Sequence, residues 1–561
     1  MSLDDIKQPV DSDTPAEETV SPADEATETS EDAFSAFSEV SRVKTKTKKV
    51  GRLSKRARTL IATSAVAIIL AVALLLITLL PHGDEGPISS GTADATDVDT
   101  SVVLLDKTVK NTVTVMQIHV SNADDEYTLV YNETEKIYQL KGYEDILLAS
   151  DLLNTVSTYS TVITASDQVK KPKDLSVYGL DKPAATATIT YRDGSTCTIY
   201  VGNVTPSETG YYVCLKDVDG VYIFASDAVS AFTFMAAAYA DTTLVSTPSV
   251  KSDDADGSAV MKEISYTGKN YPKPLFIRRS SHTDVEEMTY YSYIITEPYL
   301  RGTSDETTSI YTNFKSLSAV QALVLHPTEE QKKRIGFNDP LSVIQVTMAV
   351  ETPDDSDTSD TDDAEISKYY NEVTTTITIA NKDDDGHYIV MVDGINAIFL
   401  VDRDTFSVVA ERNYANSVNT LLFAKHLTKI NRITIKTADV SCDLDLTHLE
   451  NVEDDEEDLI VAQGDEVYSS EEFRELYTLM MSIMRYDAWT DEPTADADLT
   501  IHLYNKDGSL FLGANFYSIT GSRFGVETTE GEKFTTRSAE VNHFIKQIVK
   551  YLNGEDVSIL T

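Results

Sequence analysis

The chain has 561 residues, 47 of them basic and 91 acidic, for a formal net charge of −44. With 41% hydrophobic and 25% charged residues it is neither wholly disordered nor a polytopic membrane protein. The acidity excludes a nucleic-acid-binding body, which needs clustered lysine and arginine, and three cysteines cannot make a disulfide framework.

The charge falls into three zones. Residues 1–41 carry twelve acids and one lysine, with too little apolar surface to fold alone. Residues 42–58 carry nine basic side chains and no acid. The rest of the chain returns to strong acidity, with 37 basic and 79 acidic residues. Between the second and third zones, Leu60–Leu80 is uncharged, with only Thr63, Ser64 and Thr78 polar. As a helix it would rise about 31 Å, the thickness of a bilayer core. The reading is a disordered tail over residues 1–58, a transmembrane helix over 59–81 and a linker over 82–108. The basic flank precedes the span, which orients the N-terminus to the cytoplasm and places the C-terminal domain outside, in the plasma membrane. The same basic run offers contact to anionic lipid, although its role as a topology signal suffices. In the tail, Phe34, Phe37 and Val40 form the only apolar cluster.

Beyond the linker a turn phrase repeats. Tyr178-Gly179-Leu180-Asp181-Lys182-Pro183 recurs as Ile335-Gly336-Phe337-Asn338-Asp339-Pro340, and Asp491-Glu492-Pro493 is a remnant. Amphipathic helices precede each: Leu148, Leu152, Val156 and Tyr159; then Ile310, Phe314, Leu317 and Val324; then Phe473, Leu476, Met480 and Met484. Strand-like segments follow each phrase and also open each copy. They alternate with Asp-Gly dipeptides at 193–194, 219–220, 385–386, 393–394 and 507–508, which favour type I′ hairpins. A helix with the stripe Val541, Phe544, Ile545, Ile548, Val549 and Leu552 closes the last copy. The fold class expected is α+β, with three repeated modules at 109–247, 258–428 and 429–561. The second module carries an acidic insertion at 351–366.

The stretch Tyr127–Phe232 resembles the bacterial domain-of-unknown-function family 4340. It carries the strand pair YTLVYNETEKIYQL, the helix DILLASDLLNTVSTYST, the phrase YGLDKP and the hairpins ATITYRDGSTCTIYVGN and YYVCLKDVDGVYIF. Tyr138 stands where family members often have tryptophan. The resemblance implies a membrane-anchored, extracytoplasmic protein, often encoded beside ABC-2-type exporter subunits. It carries over no catalytic residue.

Motifs for chemistry are missing from the sequence. There is no phosphate loop, dinucleotide-binding glycine triplet, zinc-protease motif or nucleophile elbow. The nine histidines are dispersed, with no two four apart on a helix. Asn381–Gly386 offers oxygen ligands ahead of a glycine. Position twelve is Val392, however, and a solvated hairpin turn is the expected form. The acidic run Asn451–Asp458 reads as a solvated loop. Tyr211, Tyr212, Tyr222, Tyr290, Tyr291 and Tyr293 are expected to pack rather than form a sugar platform. Cys197 and Cys214 sit on neighbouring strands; two reduced thiols are expected over a disulfide.

The sequence therefore predicts a non-enzymatic, single-pass accessory or scaffold of an ABC-type export system. No catalytic, cofactor-binding or metal-binding residue is expected, and no nucleic-acid partner. The alternatives are a cell-wall or envelope polymer binding protein and an envelope hydrolase.

Overall fold

The structure is a computed structural model that describes residues 101–559, apart from residue 124 and the segments 251–257, 282–283, 285–287, 289–290, 305–306, 353–367 and 450–457. The expected tail, its Phe34–Val40 cluster, the span at 59–81 and most of the linker lie outside the described residues, as do nearly all of the acidic insertion and the Asn451–Asp458 run. Among the described residues no helix is long and apolar enough to cross a membrane.

The fold class is α+β. Three large antiparallel sheets hold most of the chain, and a two-stranded sheet pairs Val102–Asp106 with Val162–Ala165. In the first large sheet a meander of Val115–Asn122, Glu126–Asn132 and Ile137–Leu140 lies beside a second meander of Ala185–Tyr191, Thr196–Val204, Gly210–Leu215 and Val218–Ala225. The first strands of the two meanders pair with each other. Alternation drives this arrangement: along Ala185–Tyr191 every second residue is buried, so one face meets the core and the other stays half-exposed.

The second and third sheets have the same spatial order. Ser258–Thr267, Leu275–Arg279 and Tyr293–Glu297 pair through their first strand with Ser342–Thr352. Lys368–Lys382, Tyr388–Val392 and Ala397–Val401 follow. Ile430–Thr437, Ser441–His448 and Leu459–Gln463 likewise meet Leu499–Asn505, followed by Leu510–Thr520, Arg523–Thr528 and Lys533–Arg537. One continuous core joins the first two sheets, and the third sheet has its own.

Helices lie at the crossovers, with boundaries that refine the periodicity. Ser150–Thr161 buries Leu153, Val156 and Ser160, whereas Leu152 and Tyr159 are half-buried. The apolar face is therefore turned by about one residue from the one expected, and Leu148 precedes the helix in a bridge to Ala240. The expected helical face through Val324 is corrected. Thr307–Phe314 is helical, but Gln321–Leu325 is an edge strand against Ala397–Val401, because its run of apolar residues pairs along the sheet. Ser470–Met481 buries Phe473, Leu476 and Met480, and Met484 lies beyond its end. Ser538–Leu552 buries Val541, Phe544, Ile548 and Tyr551.

The turn phrases are helix exits. Leu175–Tyr178 is a 3₁₀ turn ended by Gly179 at φ 68°, and Glu329–Ile335 is a helix ended by Gly336 at φ 111°. These left-handed positions explain the glycine in each phrase. The Asp-Gly hairpins are not type I′. At 193–194, 385–386 and 507–508 only the glycine has positive φ, and its N–H bonds the carbonyl three residues back, as in Gly194 to Tyr191 at 2.9 Å. This is the three-residue loop with a left-handed glycine, which spares the aspartate the left-handed region. Asp219-Gly220 sits in a strand irregularity after the true turn at Lys216-Asp217.

Candidate functional site

The polar side chains converge most clearly at one end of the second sheet. A cleft of about 260 Å³ opens where the Gly268–Tyr271 turn, the start of Ser342–Thr352, the end of Lys368–Lys382 and the exit of helix Arg403–Ala410 meet. Its polar lining includes Tyr271, Lys382, Tyr388, Glu411 and Arg412. Glu411 Oε1 accepts from Lys382 Nζ at 2.8 Å and from the Tyr388 hydroxyl at 2.8 Å. Those two bonds hold its carboxyl below the usual carboxylate range, while burial and then the Glu411 bond push the Tyr388 phenol up. Tyr271 donates to the Arg412 carbonyl and stacks on Tyr266, whose rings lie 5.4 Å apart. Burial pushes Tyr271 up to about 12 and Tyr266 well above its ordinary value. Both phenols are therefore neutral at any physiological pH.

Beside this cleft is the turn Asn381–His387, which joins Lys368–Lys382 to Tyr388–Val392 as a hairpin, the form expected for it. Asp383, Asp385 and His387 bring potential ligand atoms within 4.8 Å of one another. The turn uses these groups itself. Asp383 Oδ1 accepts from the Asp385 and His387 backbone N–H groups, and its Oδ2 meets His387 Nδ1 at 2.9 Å. The site is built from a loop that satisfies its own carboxylate.

The pair sets a pH dependence. The Asp383 hydrogen bond raises His387 above its ordinary 6.5. Burial works to raise Asp383, but the bonds from His387 outweigh it and the carboxyl ends below 3.8. The histidine contribution is thus full below pH 6.5 and is lost as pH rises through the raised value. The aspartate contribution is present above 3.8 and is lost as pH falls through the lowered value. Amide exchange at Asp385 and His387 is expected to speed up on moving from pH 6 to 8, beyond the intrinsic pH effect, and His387→Ala is expected to abolish that excess.

Other residues singled out in the sequence are not brought together. Tyr200 pairs with Cys214 and Ile199 with Leu215, a register that puts Cys197 and Cys214 on opposite faces of the sheet. Cys197 joins the main core, Cys214 packs near Tyr178, and both thiols are free. Tyr211 and Tyr212 also point to opposite faces, and Tyr222 and Tyr293 are buried. Tyr290 lies outside the described residues. The sequence did not single out Tyr271, Glu411 and Arg412. They come from a turn and a helix exit far apart in the chain, so no spacing could unite them.

Residues 139–340 match the model of a family described as a domain of unknown function (DUF4340). That stretch of the chain belongs to the family. The DUF4340 region runs from the strand Ile137–Leu140 through the first phrase and closes on Pro340 of the second. It includes Tyr266 and Tyr271 but stops short of Lys382 and Glu411, so the cleft is lined from both inside and outside the matched stretch. No curated protein and no solved structure matches the chain.

Proposed function

We propose that this protein is a non-enzymatic, single-pass accessory or scaffold of an ABC-type export system, anchored by Leu60–Leu80 with residues 82–561 outside the cytoplasm. The supporting observation is that the converging polar groups are spent on fixed partners. Glu411 is held by Lys382 and Tyr388, and Asp383 by its own turn. A carboxyl lowered in this way is a poor proton carrier near neutral pH, which argues against the hydrolase alternative. Three sheets with one strand order support three modules of common origin at 109–247, 258–428 and 429–561. The basic run 42–58 supports contact with anionic lipid. The DUF4340 match supports the exporter association only through the resemblance.

Affinity purification of tagged full-length chain from native membranes tests this reading. The expected result is recovery of exporter ATPase and permease subunits, lost when Leu60–Leu80 is deleted. Recovery of no transporter subunit from the full-length chain would overturn it. Binding of the exterior part to isolated wall polymer would then favour the polymer-binding alternative.

A further inference from the structure

The polar groups of the cleft beside the Gly268–Tyr271 turn are fixed but not saturated. Both hydrogen bonds to the Glu411 carboxylate, from Lys382 and from Tyr388, end on Oε1. No donor among the described residues reaches Oε2. Lys382 Nζ gives one N–H to Glu411 and has two more to offer. Asn270 Nδ2 reaches Ser342 Oγ at 3.3 Å, and Asn413 Oδ1 accepts from the Asn416 N–H at 3.1 Å. Among the described residues the other end of each amide is unspent.

The wall is of a different kind. Glu411 is exposed and Lys382 half-buried, whereas Ile379, Ala410, Tyr271 and Tyr388 are buried. A polar rim thus stands over an apolar wall, the usual make-up of a site for a small organic molecule. At about 260 Å³ the cleft equals the liquid share of about eight or nine waters, room for a single sugar unit.

We infer that this cleft binds a neutral sugar through neighbouring hydroxyl groups, one donating to Glu411 Oε2 and the next accepting from Lys382 Nζ. Glu411 and Lys382 already pair at 2.8 Å. A charged ligand would compete with that pair for one of its members. Hydroxyls add to the pair without breaking it, because each can donate and accept. Arg412, the second cation of the lining, is 5% exposed and donates to the Asn416 carbonyl at 2.9 Å. The carbon ring of a sugar gives the apolar wall something to cover. A carboxylate held ionised by two donors binds hydroxyls without taking their protons, so the site is a receptor and not a hydrolytic centre. The inference goes beyond the exporter reading and does not rest on it. A free sugar and the end of a polysaccharide share this chemistry.

The test is ligand-observed NMR titration of the full chain with glucose, galactose, mannose and N-acetylglucosamine. The buffer is free of glycerol, and the detergent has no sugar headgroup. At least one of these sugars is expected to bind saturably. Glu411→Gln, which replaces a charged acceptor with a neutral one, is expected to weaken that sugar about fivefold to tenfold. Lys382→Met is expected to do at least as much, and it serves if Glu411→Gln fails to fold. Neither side chain is buried, so circular dichroism is expected to be unchanged in both. Affinity is expected to hold as salt rises from about 0.05 to 0.5 M; a steep fall would overturn the choice of a neutral ligand. Tighter binding of the matching trisaccharide would identify a polymer end as the source, and equal or weaker binding a free sugar. Either order supports the sugar class. No saturable binding by any of the sugars, or unchanged affinity in a folded variant, overturns the proposal and leaves the exporter reading untouched.

Discussion

Replacing Glu532 with alanine is expected to destabilise the seam between the second and third sheets by about 3–5 kcal/mol. Glu532 immediately precedes the strand Lys533–Arg537 and is 3% exposed. Arg301 on the edge strand Arg301–Gly302 is 7% exposed, and Arg485, past the helix Ser470–Met481, is 6% exposed. Arg301 donates from Nε and Nη2 to Oε2 at 3.2 and 3.0 Å. Arg485 Nη2 lies 2.7 Å from Oε1, which also accepts from the Tyr414 hydroxyl at 2.6 Å. One carboxylate thus serves two buried guanidinium groups. Without it Arg301 keeps only half-exposed Glu530 and the Leu300 carbonyl, and Arg485 keeps the Asn419 carbonyl. The cost comes mainly from the stranded cations, not from the lost attraction. Replacing all three residues with apolar ones (Arg301→Met, Arg485→Met and Glu532→Leu) is therefore expected to be far less harmful than the single change. Trp489, the only tryptophan of the chain, is buried against Gly525 of the third sheet and reports the change during urea unfolding. A Glu532→Ala midpoint indistinguishable from wild type would show that the seam is held by its other contacts.

That seam was not legible in the sequence, although much of the fold was. Strand positions followed from alternation and β-branched content, and segments such as Tyr388–Val392 and Ala397–Val401 match residue for residue. Helix existence followed from spacing, but the faces did not always follow. In the first sheet both 152/156/159 and 153/156/160 satisfy helical spacing, and only packing chooses between them. Gln321–Leu325 shows the other limit, since a short apolar run fits a helix face and an edge strand equally. Four of the five Asp-Gly dipeptides sit at chain reversals, but not in type I′ turns, and Asp219-Gly220 falls after its turn. The dipeptide marks a reversal, whereas loop length decides which residue takes positive φ. The cleft and the Arg–Glu cluster join residues more than a hundred positions apart, which no local pattern encodes.

The repeated phrase, by contrast, makes a local and testable demand on its neighbour. Gly202 lies on Thr196–Val204 beneath the exit of the Leu175–Tyr178 turn. A Cβ there would meet the Tyr178 carbonyl oxygen well inside van der Waals contact, with two Leu180 carbons at 3.1 Å. The obstacle is backbone, so no rotamer change relieves it. Gly202→Ala is expected to cost about 1–3 kcal/mol, read as a lowered calorimetric transition. The second sheet supplies the control. Val201 pairs with Ala185 and Ile379 with Ser342, which makes Ala380 the counterpart of Gly202. There an alanine side chain is accommodated, and the Ala380 carbonyl lies 3.5 Å from where a Gly336 Cβ would be, an ordinary contact. Ala380 is buried among Leu323, Ile335 and Ile398, so Ala380→Gly is expected to cost about 1–2 kcal/mol, the lost burial of its methyl added to the entropic penalty of glycine in a strand. In the third sheet, Leu499 pairs with Phe516 and the residue after it is Tyr517, whose ring lies 5.8 Å from that of Trp489. The three positions thus hold glycine, alanine and tyrosine. A Gly202→Ala transition indistinguishable from wild type would show that the Tyr178 carbonyl and Leu180 yield to the added methyl without cost.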